Sequence, residues 1–183
     1  MKKPVMLPVA AIAAAFVLLL GLSFALHGAG TARAQAEHVR IMQTILPGSN
    51  EFEVEPYTGE DANIRSVHKS EIGFVVEPVT YGYAGNITML IGVNNDGRVT
   101  GLVVKEAHET FGLGGNALTD HVFLKQFLNK TGSFEVATAG ADAFSGATAE
   151  AAPAEGEAIG VDAITGATVT SKAVVRCVNS AVA

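Results

Sequence analysis

Asn94-Asn95-Asp96-Gly97 stands between two β-rich runs, Ile87–Val93 and Arg98–Lys105. Asn and Gly tolerate positive φ, so a tight turn here folds the runs back on each other as an antiparallel hairpin. A lone hairpin is marginal in water and needs further strands and a cover for its apolar face. The rest of the chain offers both. Glu51–Glu55 and Ser133–Thr138 read as short strands, and Glu71–Thr80 as a longer one. Pro78 predicts an edge or an exit near the end of that longer strand, because proline cannot donate to a ladder. Ala32–Leu46 reads as a helix stopped by Pro47-Gly48. Ala117–Asn129 reads as an amphipathic helix, with Phe123/Phe127 and Leu124/Leu128 at i, i+4. Ser171–Val182 reads as a third, with Val174, Val178 and Val182 on one stripe. Strands grouped with helices, without strict alternation, predict an α+β domain.

Ahead of that domain, Met1-Lys2-Lys3 precedes Pro4–Leu26, a segment without a charged residue. Roughly 20 apolar residues suffice to span a bilayer as a helix. Lys2 and Lys3 would hold the N-terminus in the cytoplasm and send the remainder to the outer face. Ala32-Arg33-Ala34 resembles a signal-peptide cleavage site, but the apolar run exceeds the usual length of about 7 to 15 residues, which favours a retained anchor.

Twelve basic against 18 acidic side chains give a net charge of −6, and setting aside Lys2 and Lys3 leaves the remainder more acidic still. An acidic domain without a basic cluster argues against nucleic acid as a partner. One cysteine, Cys177, excludes a disulfide framework and fits a small buried apolar residue. His27, His38, His68, His108 and His121 show no zinc-helix spacing, so no metal is assigned.

The segment Asp162-Ala-Ile-Thr-Gly-Ala-Thr-Val-Thr-Ser171 sets Thr168 after a Gly166-Ala167 pair and at the entrance of the C-terminal helix. A helix N-terminus offers unpaired N–H groups and the positive end of the dipole, so it suits a phosphate. The same residue types also suit a plain turn and N-cap. Asp142-Ala-Phe-Ser-Gly-Ala-Thr148 repeats the pattern twenty residues upstream. Glu150, Glu155 and Glu157 follow it and would repel a phosphate, while Pro153 and Gly156 limit a helix there. Thr168 is therefore the preferred anion-binding threonine, with Thr148 a possible second. Glu106-Ala-His-Glu109-Thr110-Phe-Gly112-Leu113-Gly114-Gly115 is a glycine-rich loop that lacks GxGxxG spacing or a P-loop lysine. It stands equally as a flexible connection or as a ligand loop. Tyr81 and Tyr83 lie beside glycines, where tyrosine packs or flanks a flat ring.

The pattern Asp-x-x-(Ser/Thr)-Gly-Ala-Thr resembles the one on which an ApbE-type flavin transferase attaches FMN. In order along the chain come the single N-terminal anchor, Ile45-Leu-Pro-Gly48, Gly82-Tyr83, Glu106-x-x-Glu109-Thr110-x-Gly-Leu-Gly114, and Asp162–Ser171. Together these resemble the RnfG family, the G subunits of the Rnf ion-translocating electron-transport complex. That family shares its FMN-binding domain with the C subunit of the sodium-translocating NADH:quinone reductase. Phe111 departs from the family, where proline is frequent, and the Ala/Glu-rich stretch 139–160 is a second departure.

The resemblance implies a membrane anchor over residues 1–30, a juxtamembrane helix over 31–50, and a small FMN-binding domain of antiparallel sheet plus helices over 51–183. It implies FMN joined to Thr168 as a phosphoester, with no catalytic residue of the chain's own. Asp162 would serve transferase recognition or help position its metal and the hydroxyl, and Thr165 and Thr170 would cap and orient the loop. Gly166, Ala167, Ser171, Glu109, Thr110, Gly112, Leu113, Gly114 and Tyr83 complete the implied cofactor site. The implied partners are the other subunits of the complex and the transferase, with ferredoxin and NAD as the terminal couple. A free-standing membrane-anchored flavoprotein and a non-redox extracytoplasmic binding module stay open.

Overall fold

The computed structural model describes residues 33–110, 112, 114–137 and 158–183; Pro4–Leu26 and Asp142–Thr148 lie outside the described residues. Among the described residues no helix is long and apolar enough to cross a membrane. The chain divides into two compact units, Met1–Ile41 and Met42–Ala183. In the first, residues 33–41 are helical, and helical residues 42–45 open the second; the helix over 33–45 is called α1.

Five strands follow: β1 (Glu53–Glu55), β2 (Ile64–Ser70), β3 (Gly73–Tyr81), β4 (Asn86–Asn94) and β5 (Val99–Ala107). They form one antiparallel sheet in chain order. The predicted hairpin is β4–β5, turned at Gly97 with φ +74°. Three helices complete the unit: α2 (Gly114–Thr119), α3 (His121–Lys125) and α4 (Thr168–Val182). β6 (Phe134–Ala137) and β7 (Ile159–Asp162) make a separate pair, and it is parallel, so the expected antiparallel sheet is not the whole of the β structure.

Alternation along β4 builds the two layers. Ile87, Met89, Ile91 and Val93 join Val174, Cys177 and Val178 of α4 and the rings of Phe123, Phe127 and Phe134 in the main core. The next residues, Leu90 on β4 and Val75 on β3, are also fully buried, on the opposite face. The end of α1 meets the sheet on Gly92 and Gly101, which pair across β4 and β5. A Cβ on Gly101 would stand 2.7 Å from Ile45 Cα, so this approach requires glycine. Thr100, beside the register slip, donates its hydroxyl to the Ile45 carbonyl at 2.6 Å and satisfies an acceptor at the helix end.

Two expectations are corrected. Pro78 sits inside β3, the central strand, and not at its end. The β2–β3 register slips between Ile64 and Ser66, opposite the proline, so the missing N–H falls at an irregularity. The predicted helix Ala117–Asn129 is two short helices. Asp120 ends the first and caps the second, its carboxylate accepting from the N–H groups of Val122 at 2.7 Å and Phe123 at 3.0 Å. After Lys125 the chain turns, reaching positive φ at Asn129. The aromatic spacing that suggested one helix serves packing instead: Phe123 and Phe127 meet edge-on at 5.5 Å.

Glu77, 4% exposed, faces Lys105 Nζ at 2.9 Å, Arg65 at 3.9 Å and the Ser66 hydroxyl at 3.2 Å, so its charge is compensated where it is buried.

Candidate functional site

α4 begins at Thr168, three residues earlier than expected. Gly166 takes φ +80°, a left-handed conformation open to glycine, and turns the chain out of β7 into the helix. Ala167 is the N-cap and makes no side-chain cap bond. The first intrahelical acceptance is Ser171 N–H to Ala167 O at 2.8 Å. The N–H groups of Thr168, Val169 and Thr170 therefore have no acceptor among the described residues. Thr168 itself is exposed.

The capping roles expected of Thr165 and Thr170 are not what the geometry shows. Ser171 holds the turn: its hydroxyl donates to Ala167 O at 3.0 Å and accepts from Ile164 N–H at 3.2 Å. Thr170, 1% exposed, donates its hydroxyl to Glu109 Oε2 at 3.1 Å. Thr165 is exposed and makes no hydrogen bond among the described residues. With no side chain occupying the cap, the first-turn donors stay free for an external anion.

Glu109 joins three segments distant in sequence. Its Oε1 accepts from Tyr83 N–H at 2.7 Å and Ala84 N–H at 3.4 Å, while Oε2 holds Thr170. Glycine makes room for it. A Cβ on Gly82 would collide with Oε1, and one on Gly114 with Oε2 and the Thr170 hydroxyl. The carboxylate faces inward as a clamp, near the positive end of α4. Its partners draw Tyr83, Gly114 and the start of α4 around a pocket of about 320 Å³, lined also by Gly166, Ala167, Thr168, Val169 and Thr170.

Thus Tyr83, Gly114, Gly166, Ala167, Thr168 and Thr170 share one pocket. Asp162, Thr110 and Gly112 do not line it, and Leu113 lies outside the described residues. Asp162 is exposed, and its backbone is held on both sides by the Gln126 amide: N–H to Oε1 at 2.9 Å, and Nε2 to O at 3.2 Å. Gln126 so substitutes for a neighbouring strand at the end of β7. Thr110 and Gly112 offer their carbonyls to Gly115 and Asn116 and shape the loop. Val169, 48% exposed at the pocket mouth, was not expected from its residue type.

The residues fit a flavin nucleotide: free helix N–H donors for a phosphate, an exposed hydroxyl at the same turn, and an exposed tyrosine opposite. A helix entrance of this kind, lined by glycine and open to an anion, is compatible with a small FMN-binding domain. The FMN-binding domain family matches residues 82–183. Over nearly its whole length the chain is similar to the G subunit of the ion-translocating oxidoreductase complex of Methanosarcina acetivorans, 34% identical over 190 residues that cover 97% of this chain and 89% of that one. It is also similar to the G subunit of the Na⁺-translocating ferredoxin:NAD⁺ oxidoreductase complex of Acetobacterium woodii (35% over 112 residues, 61% of this chain and 48% of the relative). The G subunit of the proton-translocating ferredoxin:NAD⁺ oxidoreductase complex of Clostridium ljungdahlii is 36% identical over 111 residues, 61% and 52% of the two chains. The alignments thus span about half the length of these last two relatives. The chain belongs to the RnfG family, the G subunits of ion-translocating oxidoreductase complexes of the Rnf type.

Proposed function

We propose that this chain relays electrons within an Rnf-type ferredoxin:NAD ion-translocating complex, through FMN carried as a phosphoester on Thr168. The observation that carries this is the start of α4, where an exposed threonine hydroxyl and three unclaimed N–H groups face one pocket. The N–H groups of Thr168, Val169 and Thr170 would hold the phosphate, with Gly166 and Ala167 permitting its close approach. Tyr83 and Val169 would border the ring, and Gly114 with the clamped Glu109 would fix the far wall. FMN, when bound, supplies the ability to take electrons in pairs and pass them on singly. The residues supply position and hold the cofactor where loss by dissociation would otherwise follow.

A threonine hydroxyl is a weak nucleophile and needs activation, which an ApbE-type transferase acting on FAD would provide. Asp162, exposed six residues before Thr168, is available to that enzyme as a recognition or positioning group. Pro4–Leu26 would anchor the chain by a single pass, with the N-terminus cytoplasmic and the flavin domain outside. The domain division at residues 30 and 50 belongs to the same proposal. Thr148 is set aside as primary acceptor because acidic residues surround it in sequence.

Co-expression with a flavin transferase, followed by intact mass and peptide mapping, tests the proposal. The expected result is one FMN on the peptide containing Thr168 and none in Thr168→Ala. A colourless, unmodified chain would refute covalent attachment. Flavin that survives Thr168→Ala and disappears in Thr148→Ala would move the site. Purification of the chain with the other subunits of the complex tests its place in the assembly.

A further inference from the structure

β5 is the outermost strand of the five-stranded sheet. Among the described residues its outer edge is closed only at the start, where Val99 N–H meets Lys130 O at 3.0 Å and Asn129 N–H meets Val99 O at 2.8 Å. Beyond Val99 the described residues offer that edge no further backbone partner. A groove of about 570 Å³ lies there, floored by Gly101–Val104. Thr44 and Ile45 form one wall; Leu118, Leu124 and Leu128 form the other.

An unpaired strand edge is a template for another strand, and folded proteins blunt such edges with charge or brevity. The opposite edge does so: β1 has three residues, Glu53-Val54-Glu55. β5 has nine residues; Lys105 is turned to Glu77 at 2.9 Å, and its other charged residue, the exposed Glu106, lies beyond the groove. The electrostatics of the groove also differ from those of the chain. Among the described residues no acidic side chain lines it, although acidic residues outnumber basic ones 18 to 12 in the chain. Its charged lining is Lys125, exposed and without an ion pair among the described residues, with His121 beside it.

We propose that this groove receives an extended segment of another protein of the complex, added to β5 as a sixth strand. The segment carries apolar side chains toward the Leu118–Leu124–Leu128 wall and an acidic residue opposite Lys125. Unpaired main-chain groups require the extended conformation, the leucine wall requires the apolar side chains, and Lys125 selects the acid. This rests on the proposed membership of a multi-subunit complex.

Hydrogen exchange of the amides of Gly101–Lys105 tests it, comparing the full chain alone in detergent with the chain in the purified complex. Assembly should slow the outward-facing amides about a hundredfold, as for newly paired strand edges. Lys125→Glu, an exposed substitution, should leave the melting temperature and flavin mass unchanged and lower retention of the chain in the complex severalfold at low salt. Equal exchange in both samples would overturn the proposal. So would protection already present in the isolated chain, which would mean that its own residues cover the edge, or protection that rises with chain concentration, which would mean a second copy. Flavin mass on the same samples separates the two proposals. A flavinylated chain with an unprotected edge refutes the groove alone, whereas a chain absent from any complex refutes both.

Discussion

Removing the Glu109 carboxylate should loosen the pocket in a way that can be apportioned bond by bond. Glu109→Ala deletes acceptors for the N–H groups of Tyr83 and Ala84 and for the Thr170 hydroxyl. Tyr83 and Ala84 are exposed, so water replaces most of what they lose. Thr170 is 1% exposed and cannot be rehydrated in place. An unsatisfied buried hydroxyl costs about 1–3 kcal/mol, and a hydrogen bond to a charged group contributes about 1.5–3 kcal/mol before solvent competition. Discounted for the half-buried position of the carboxylate, the total is about 2–3 kcal/mol, or a drop of about 5–10 °C in Tm. Thermal unfolding of the full chain, followed by circular dichroism, measures it. The decisive comparison is a double-mutant cycle with Thr170→Val, which removes the hydroxyl that would be stranded. In that background Glu109→Ala should cost at least about 1 kcal/mol less than in the parent chain. Additivity within about 0.3 kcal/mol would show that the two side chains are uncoupled and that the clamp is not a clamp.

Gly101→Ala would place a methyl 2.7 Å from Ile45 Cα, and the resulting overpacking should cost about 1–3 kcal/mol in urea unfolding; a neutral result would mean that α1 does not sit on the sheet as described. Lys105→Ala leaves the buried Glu77 with Arg65 at 3.9 Å as its nearest described cation and the Ser66 hydroxyl at 3.2 Å, and should cost about 2 kcal/mol. Glu77→Gln should cost less, about 1 kcal/mol, because Lys105 is 42% exposed and can turn to water; the reverse order would contradict this placement of charge. Burial pushes the Cys177 thiol up from 9.0 to about 11, so ionisation favours the unfolded chain. The stability this contributes is complete below about pH 9 and lost as the pH rises toward 11, a trend that should vanish in Cys177→Ala when denaturant midpoints are compared at pH 8 and 10.5. The native thiol should also resist alkylation at pH 8, becoming reactive only on unfolding.

The parts of the fold written in short-range chemistry were legible. Asn94–Gly97 announces its hairpin because turn geometry is local, and the valine stripe of α4 announces a helix packed on one side. β2 was not legible, because Ile64-Arg-Ser-Val-His-Lys-Ser is half-exposed and polar and acquires strand character from pairing with β3. Pro78 misled for the same reason: an irregularity in the neighbouring strand removes the penalty that proline would otherwise bring to a central position. In the helical region the aromatic period outweighed the capping residue Asp120, although the cap decided the backbone. The candidate site divides similarly. The residues from Gly166 to Thr170 stood together in the sequence and stand together in the pocket. The meeting of Glu109 with Thr170, 61 positions apart, and of Gln126 with Asp162, 36 apart, is a tertiary event that no residue spacing signals.

The hydrogen bond from Thr80 Oγ1 to the carbonyl of Ala173, 3.0 Å long and buried, pins the middle of α4 to the central strand. Asn179 pins its far end, exchanging both hydrogen bonds of its amide with the backbone of Phe134. A helix fastened at two depths can neither slide nor roll without stranding buried polar groups. A flavin carried at its first residue, as proposed above, would therefore be mounted on the chassis of the domain, not on an arm. If electron transfer requires the distance to a partner to change, the whole domain must travel, and the length and stiffness of whatever tethers it would set the rate.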